Sequence, residues 1–157
     1  MLRKTFRGNT ARQALRHQLE VACSGKVVVI SQKVDEVHPI VERIAVGLSK
    51  LDVIRYIKIT SDFIAASSEV RGITRDPIAT PGHPTATGIS LLFHADYMTL
   101  DFYEINAARK GKGYGRKMVK AILDALPTDW KATVSMDWSD GFWEKMRRSY
   151  PKKWERE

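Results

Sequence analysis

Residues 101–126 read DFYEINAARKGKGYGRKMVKAILDAL, and this stretch decides the fold prediction. Its residue types follow one another as a strand, a glycine-rich basic loop and a helix. The helix is indicated by apolar residues that recur every three or four positions and by Pro127, which stops it. These apolar residues are Met118, Val119, Ile122, Leu123 and Leu126. The glycines Gly111, Gly113 and Gly115 therefore fall just before the helix and inside its first turn.

The position of these glycines predicts a binding site for an anion. A helix N-terminus presents unpaired N–H groups and a partial positive charge, and glycine lets the backbone approach an anion closely. Five cations surround the same point: Arg109, Lys110, Lys112, Arg116 and Lys117. The loop lacks the Lys-Ser or Lys-Thr of a nucleoside-triphosphate loop and the G-x-G-x-x-G spacing of a dinucleotide site. A glycine-rich turn on a basic surface is the structural alternative.

The segment resembles the cofactor-binding motif of the GNAT family of N-acetyltransferases. In that family the motif reads Arg/Gln-x-x-Gly-x-Gly/Ala and lies between a strand and a helix. Lys110 stands at the Arg/Gln position, and Gly113 and Gly115 stand at the two small positions. Further along, Phe142-Trp143-Glu144-Lys145-Met146 is similar to the family's Phe-Tyr-Glu-Lys-Leu-Gly-Phe phrase. The two matches cover residues 100–150, about a third of the chain.

The resemblance implies a fold and a cofactor. The expected fold is α/β (α+β), with a mixed, mostly antiparallel central sheet flanked by helices and with splayed central strands. Residues 1–157 would form one domain, with an additional N-terminal helix in 1–25. The cofactor would be acetyl-coenzyme A (acetyl-CoA), with its pantetheine arm between the splayed strands. The cofactor-binding residues would be Phe102, Tyr103, Glu104, Ile105, Arg109, Lys110, Gly111, Lys112, Gly113, Tyr114, Gly115, Arg116 and Trp143, and the backbone contacts would extend to Asn106.

Transfer of an acetyl group to an amine requires a group that removes a proton from the amine before it attacks. Asp101 and Glu104 are the carboxylates on the strand before the loop, and Asp137 is a reserve. Regular alternation places Asp101 and Glu104 on opposite faces unless a bulge intervenes. Glu104 is the preferred base because it lies closer to the strand end, and a surface ion pair is the alternative interpretation of this residue.

The acid that protonates the leaving thiolate is harder to assign. In the family phrase this group is a tyrosine, whereas this chain has Trp143, whose indole N–H is not a useful acid. Tyr150, Tyr114 or water could take its place. Only Lys152–Glu157 follow as material for the family's last strands, so we expect an acceptor pocket that is truncated or is completed by a second chain in a homodimer.

The remaining elements are predicted from apolar patterning and turn residues. The first half of the chain is predicted to contain a helix over 9–23, a strand at Lys26–Ser31, a helix from Asp35 to Leu51 with Asp35 and Glu36 in its first turn, and a strand over 53–59. An undecided segment over 62–70 and a long loop over 71–87 follow. The second half is predicted to contain a hairpin of Gly88–His94 and Tyr97–Ile105 that turns at Ala95-Asp96, a strand at Lys131–Asp137 and a helix at Asp140–Arg147. Acceptor specificity is expected in 34–51 and 71–87.

Composition limits the partners. The net charge of +8 favours an anionic partner, namely a nucleic acid, an anionic cofactor or an acidic protein, although solubility alone also accounts for it. Cys23 is alone and the four histidines are scattered, so no metal site is expected. No apolar run spans a bilayer and MLRKTFRGNTARQ lacks an apolar signal region, so we expect a cytoplasmic protein without membrane contact.

Two functions follow from these observations. The first is an N-acetyltransferase whose acceptor amine belongs to a small molecule, a protein or an aminoacyl-tRNA. The alternative is a catalytically reduced basic module of the same fold that binds nucleic acid or a protein partner. The missing tyrosine and the short C-terminal segment favour the alternative, and the glycine loop favours the enzyme.

Overall fold

The structure of the chain is a computed structural model, which describes residues 13–109, 111–137, 139 and 141–155. Its helices are α1, helical over 13–22, α2 (Pro39–Ser49), α3 (Tyr114–Ala125) and α4 (Phe142–Ser149). Its strands are β1 (Val27–Ile30), β2 (Tyr56–Ile59), β3 (Phe63–Ser67), β4 (Val70–Arg71), β5 (Asp76–Pro77), β6 (Thr87–His94), β7 (Thr99–Ala107) and β8 (Lys131–Val134). The described part of the expected N-terminal helix is therefore α1, and residues 1–12 lie outside the described ranges.

Six strands form one mixed sheet in the order β1-β2-β3-β6-β7-β8, and β4 and β5 form a small sheet of their own. The β1–β2 and β7–β8 pairs are parallel, whereas the β2–β3, β3–β6 and β6–β7 pairs are antiparallel. Helices flank the sheet. This confirms the prediction of a mixed α/β fold with a mostly antiparallel central sheet.

Helices α2 and α3 pack against each other over the sheet. The apolar stripe of α3 is buried as predicted at Met118, Val119, Ile122 and Leu123. Gly47 of α2 lies at the contact, where an added β-carbon would stand 3.3 Å from the carbonyl oxygen of Ala121. Close approach of the two helices therefore depends on a small residue in α2.

Helix α2 begins four residues later than predicted. It starts at Pro39, which occupies the first helical position, where its missing N–H costs nothing. The His38 side chain caps the helix, because its Nδ1 accepts a hydrogen bond from the backbone N–H of Ile40 at 3.1 Å. Asp35 and Glu36 consequently precede the helix, and the expectation that they occupy its first turn is wrong.

Several other boundaries differ from the predictions. Strand β2 begins at Tyr56 instead of residue 53, and α4 spans Phe142–Ser149 instead of Asp140–Arg147. The turn after β6 is a short 3-10 segment at Ala95–Tyr97, and Met98 adopts a left-handed conformation with φ 51°, so β7 starts at Thr99. Strand β8 ends at Val134 instead of Asp137. The expected loop over 71–87 contributes to β4, β5 and the first residue of β6.

The last described residues extend the sheet beyond β8. The backbone of Ala132 donates a hydrogen bond to the carbonyl of Lys153, and Glu155 donates one to the carbonyl of Ala132. Trp154 is buried between these contacts and lies 5.7 Å from the Phe102 ring. The segment after α4 therefore covers part of the β8 edge.

Membrane spans and clusters of metal ligands were sought among the described residues. No helix within the described ranges is both long enough and apolar enough to cross a membrane. No group of three potential metal-ligating side chains occurs in the same part of the chain.

Gly88 is required by close backbone approach. A β-carbon at this position would overlap the Ile78 carbonyl oxygen and lie 2.8 Å from that of Ala66. We expect Gly88→Ala to lower the free energy of unfolding by about 1–3 kcal/mol, because backbone atoms must move to make room. Chemical denaturation measures this loss.

Gly115→Ala is the matched control, since its β-carbon would meet the Phe142 ring at an ordinary 3.4 Å. Its stability should be unchanged or raised, because alanine is favoured over glycine in helices by roughly 0.5–1 kcal/mol. Equal effects of the two substitutions would contradict the packing assigned to Gly88.

The small β4–β5 sheet is tied to β2 by an ion pair whose contribution depends on pH. Lys58 Nζ lies 2.5 Å from Asp76 Oδ1, and hydrogen bonds from Lys58 and Thr74 lower the pKa of the Asp76 carboxyl. A lowered pKa in the folded chain stabilises it above the usual Asp range, and this stabilisation is lost as pH falls through the folded value.

We therefore expect Asp76→Asn to reduce the free energy of unfolding at pH 7 by less than about 1 kcal/mol, since the Asp76 side chain is 57% exposed. The difference in stability between the two proteins should shrink as the pH falls below about 4 and disappear below the lowered pKa of Asp76. A difference in unfolding free energy that stays constant from pH 7 to pH 3 would argue against this ion pair.

Candidate functional site

Strands β7 and β8 separate halfway along β7. Only Thr99–Phe102 pairs with β8, through Lys131–Val134, and the last backbone bond between the two segments runs from Ser135 N–H to the Phe102 carbonyl at 2.9 Å. Strand β7 continues to Ala107 with β6 on its other side. Among the described residues, none after Ser135 forms a backbone hydrogen bond with the remaining length of β7, which thus has a free edge toward β8, as the splayed-strand prediction requires.

A cleft of about 130 Å³ occupies this separation. The segment after β8 and helix α4 form the wall opposite β7, and the loop before β6 contributes one residue. The lining residues are Pro81, Tyr103, Glu104, Ile105, Met136, Ser139 and Trp143. Three of the residues expected to bind a pantetheine arm therefore line one cleft together with Trp143.

A β-bulge at Tyr103 determines which side chains of β7 share a face. Phe102 pairs with Leu91 and Glu104 pairs with the preceding residue, Ser90, so Tyr103 has no partner in β6. An extra residue shifts the alternation by one position, because side chains alternate with a period of two. Asp101 and Glu104 consequently lie on the same face, and the prediction from regular alternation is wrong.

The two carboxylates have different surroundings. Glu104 lines the cleft, is half-buried and forms no salt bridge with any described residue. Asp101 does not line the cleft, and its Oδ2 lies 3.1 Å from Nε2 of His94. His94 was not predicted from the sequence, since it reaches Asp101 only through the register of β6 with β7. Glu104 is thus the carboxylate available to the cleft.

Tyr103 was predicted from the sequence to contact the cofactor but was not among the candidate acids. The bulge leaves it 45% exposed at the cleft, with its ring 6.5 Å from that of Phe63. Tyr150 lies close enough to Lys120, on the outer side of α3, to raise the pKa of that lysine, although Asp124 contributes more. Tyr103 is therefore the described tyrosine that brings a hydroxyl to the cleft.

Tyr114 and Arg109 line a different pocket, at the end of the sheet. This pocket has a volume of about 440 Å³ and includes Arg55 and Glu69. The Tyr114 ring also lies 5.4 Å beneath Nζ of Lys117. Neither Tyr114 nor Tyr150 is among the residues that line the cleft, so neither is retained as the candidate acid.

The glycine loop leads directly into α3, as predicted. Gly113 is the N-cap with φ 70°, and no side chain in the described part of the chain caps the first turn. A β-carbon at Gly111 or Gly113 would meet no atom of the described residues within 4 Å, so those residues leave the loop open to an approaching anion. Lys112 and Arg116 are exposed on either side. Lys110, at the motif's Arg/Gln position, lies outside the described residues.

Gly115 has a different neighbourhood from Gly113. A β-carbon added at Gly115 would face the Phe142 ring at 3.4 Å and Ile105 at 3.8 Å. An alanine β-carbon at this position would therefore make only ordinary contact with α4 and β7.

Aromatic packing forms the base of the cleft. Trp143 is buried, and its ring lies 4.9 Å from Phe102 and 5.0 Å from Phe142. Phe102 is only 1% exposed, and its carbonyl already accepts a hydrogen bond from Ser135. Asp137, the reserve base, accepts hydrogen bonds from the N–H and the hydroxyl of Ser139 at 3.0 and 2.6 Å. Its carboxylate therefore stabilises the turn before α4.

Asn106 holds the loop that carries Pro81 against the sheet. Its Nδ2 donates to the carbonyls of His83 and Ala86 at 2.9 and 2.7 Å, and its Oδ1 accepts from the N–H of Gly82 at 3.0 Å. One side chain of β7 thus satisfies three backbone groups of a loop 20 to 24 residues earlier. The sequence carries no local signal for this contact.

No protein family, curated protein or solved structure compared with this chain matches it. A functional interpretation therefore depends on the cleft, the glycine loop and the residues that surround them.

Asn106→Ala should detach the loop from the cleft wall. Three backbone groups would lose their partner, and a buried group left unsatisfied costs about 1–3 kcal/mol. We expect faster hydrogen exchange at the Gly82 amide together with lower stability. Thr74→Ala is the control, because it removes a hydrogen bond to Asp76 in the same segment without touching the Asn106 contacts. Unaltered exchange of the Gly82 amide in Asn106→Ala would contradict this role.

Proposed function

We propose that the chain is a GNAT-type N-acetyltransferase that uses acetyl-CoA. The observation that carries the proposal is the free edge of β7 over Tyr103–Ala107, which borders a cleft and leads into the glycine loop before α3. A pantetheine arm carries amide groups that can bond a free strand edge, and a diphosphate suits an uncapped helix N-terminus. Both features occur along one continuous stretch of backbone.

The residues present fit such a ligand. The backbone from Tyr103 to Asn106 would bond the pantetheine arm, with the Ile105 and Trp143 side chains beside it. The N–H groups at the start of α3 would hold the diphosphate, in an open cradle where β-carbons at Gly111 and Gly113 would meet nothing. The cations Arg109, Lys110, Lys112 and Arg116 would add attraction for the phosphates.

Acetyl-CoA, when bound, supplies a thioester whose acetyl carbon can accept an amine. Glu104 would accept a proton from the amine, directly or through one water, so that the nitrogen lone pair is available. The amine nitrogen would bond the acetyl carbon as the C–S bond breaks, and Tyr103 would donate a proton to the departing sulfur. Asp101 is the reserve base, although its bond to His94 keeps it out of the cleft.

The acceptor is proposed only as an amine, carried by a small molecule, a protein or an aminoacyl-tRNA. The net charge of +8 favours an acceptor attached to an anion such as RNA. Pro81, held by Asn106, would limit the size of the acceptor because it lines the cleft. We retain the cytoplasm as the proposed location and a homodimer as the proposed route to a more complete acceptor pocket.

A second candidate function is a basic binding module without catalysis. The observation that favours it is Trp143, which stands where the family phrase has tyrosine and whose ring is buried against Phe102. Binding of RNA or DNA that weakens steeply with salt, in a protein that does not bind acetyl-CoA, would favour this function over the enzyme.

The purified protein should bind acetyl-CoA in isothermal titration calorimetry, and Gly113→Val should weaken binding at least about tenfold, equivalent to 1.4 kcal/mol. The valine side chain would stand in the open cradle and keep phosphate oxygens away from the helix N–H groups. Gly72→Val is the matched control, because Gly72 has the same φ of 70° and equally open space but lies outside the loop. Unchanged affinity in Gly113→Val would refute the loop assignment.

A further inference from the structure

The hydroxyl of Ser90 is a buried polar group without a partner. Ser90 lies in the middle of β6 and is 2% exposed, and its Oγ reaches no hydrogen-bonding atom among the described residues. Buried hydroxyls are nearly always hydrogen-bonded, because removing one from water without compensation costs free energy. An isolated hydroxyl at this depth therefore calls for a physical reason.

Packing alone does not require a hydroxyl at this position. Ser90 belongs to a row across the sheet in which its neighbour on β3 is Ala65, which is equally buried and has no polar side chain. Ser67, at the end of the same strand β3, shows what a structural serine does in this sheet. Its hydroxyl donates to the Ile78 carbonyl at 2.6 Å and accepts from the Glu69 N–H at 3.2 Å. Ser90 makes no comparable bond to any described residue.

The neighbour of Ser90 on its other side is Glu104. The two residues are paired directly across β6 and β7, where β-carbons of opposed residues lie about 4.5–5.5 Å apart. The bulge at Tyr103 creates this pairing, because regular register would have placed Tyr103 opposite Ser90. At that spacing, rotation of the Glu104 side chain would allow a carboxylate oxygen to reach the Ser90 hydroxyl.

We propose that Ser90 is a positioning residue, whose hydroxyl donates a hydrogen bond to the Glu104 carboxylate when acetyl-CoA fills the cleft. This inference rests on the proposed function. Without ligand, Glu104 is half-buried beside an open cleft and water can solvate its carboxylate. A ligand in the cleft displaces that water, and a carboxylate deprived of water needs a donor from the protein. The Ser90 hydroxyl is a free donor in the opposed position.

The hydrogen bond would serve the reaction by fixing one carboxylate oxygen. The second oxygen then keeps a constant position from which to accept the proton of the amine. Ser90 itself touches neither the cleft nor any reacting atom, so it acts through Glu104 alone. In the free protein the Ser90 hydroxyl stays unpaired, which lowers the stability of the fold, because its donor is kept available for Glu104.

The test uses the full chain with glutamate labelled with ¹³C at its side-chain carboxyl. The Glu104 resonance is assigned as the one that disappears in Glu104→Gln. Spectra of the wild type, Ser90→Ala and Ser67→Ala are recorded without ligand and with saturating acetyl-CoA. Thermal unfolding of the three proteins is measured in parallel, and binding is followed independently through the backbone amide signals of 111–116.

Acetyl-CoA should shift the Glu104 carboxyl resonance in the wild type and in Ser67→Ala, and most of that shift should be lost in Ser90→Ala. Ser90→Ala should unfold at the wild-type temperature or above it, because it removes an unpaired group, whereas Ser67→Ala should unfold several degrees lower. An undiminished carboxyl shift in Ser90→Ala, or destabilisation of that variant, would overturn the inference alone. Absence of acetyl-CoA binding by the wild type would overturn the proposed function and the inference with it.

Discussion

Strand β7 is hydrogen-bonded to β6 along its length but to β8 only at its first residues, Thr99–Phe102. Backbone N–H and C=O groups inside a sheet must be paired, so a free edge in the middle of a sheet is stable only if water or a ligand satisfies it. The rest of the site is arranged around this edge. The bulge directs Tyr103 and Glu104 into the opening, Asn106 holds the loop that closes one side, and α3 begins after the glycine loop that follows the strand.

The distribution of charge around the edge is consistent with two different ligands meeting there. Cations surround the glycine loop, at the end where an anionic cofactor would enter. The carboxylates Asp101 and Glu104 share a face of β7 further along, where a positively charged amine would be attracted and then deprotonated. A protein with a net charge of +8 thus places two of its 18 acidic residues near the proposed reaction centre, in keeping with cations that would attract the cofactor and carboxylates that would attract the acceptor.

Local signals predicted the parts of the site that depend on neighbouring residues in the chain. The apolar stripe of α3 and the glycines before it were predicted correctly because helix periodicity and turn chemistry are local. The bulge was missed, since the phrase Asp101-Phe102-Tyr103-Glu104 reads as ordinary alternation and only the register with β6 reveals the extra residue. The partners of Asn106, His94 and Ser90 were beyond prediction for the same reason, because each contact joins residues that only the pairing of distant strands brings together.

The central claim is that the free edge of β7 and the start of α3 receive one ligand together. The most direct measurement is a titration of the ¹⁵N-labelled protein with acetyl-CoA, following backbone amide chemical shifts. We expect saturable changes at both Tyr103–Ala107 and 113–116, with little change at the outer strand β1. Changes confined to the basic loop, or none in β7, would contradict the account, because a phosphate could then bind without any ligand entering between the strands.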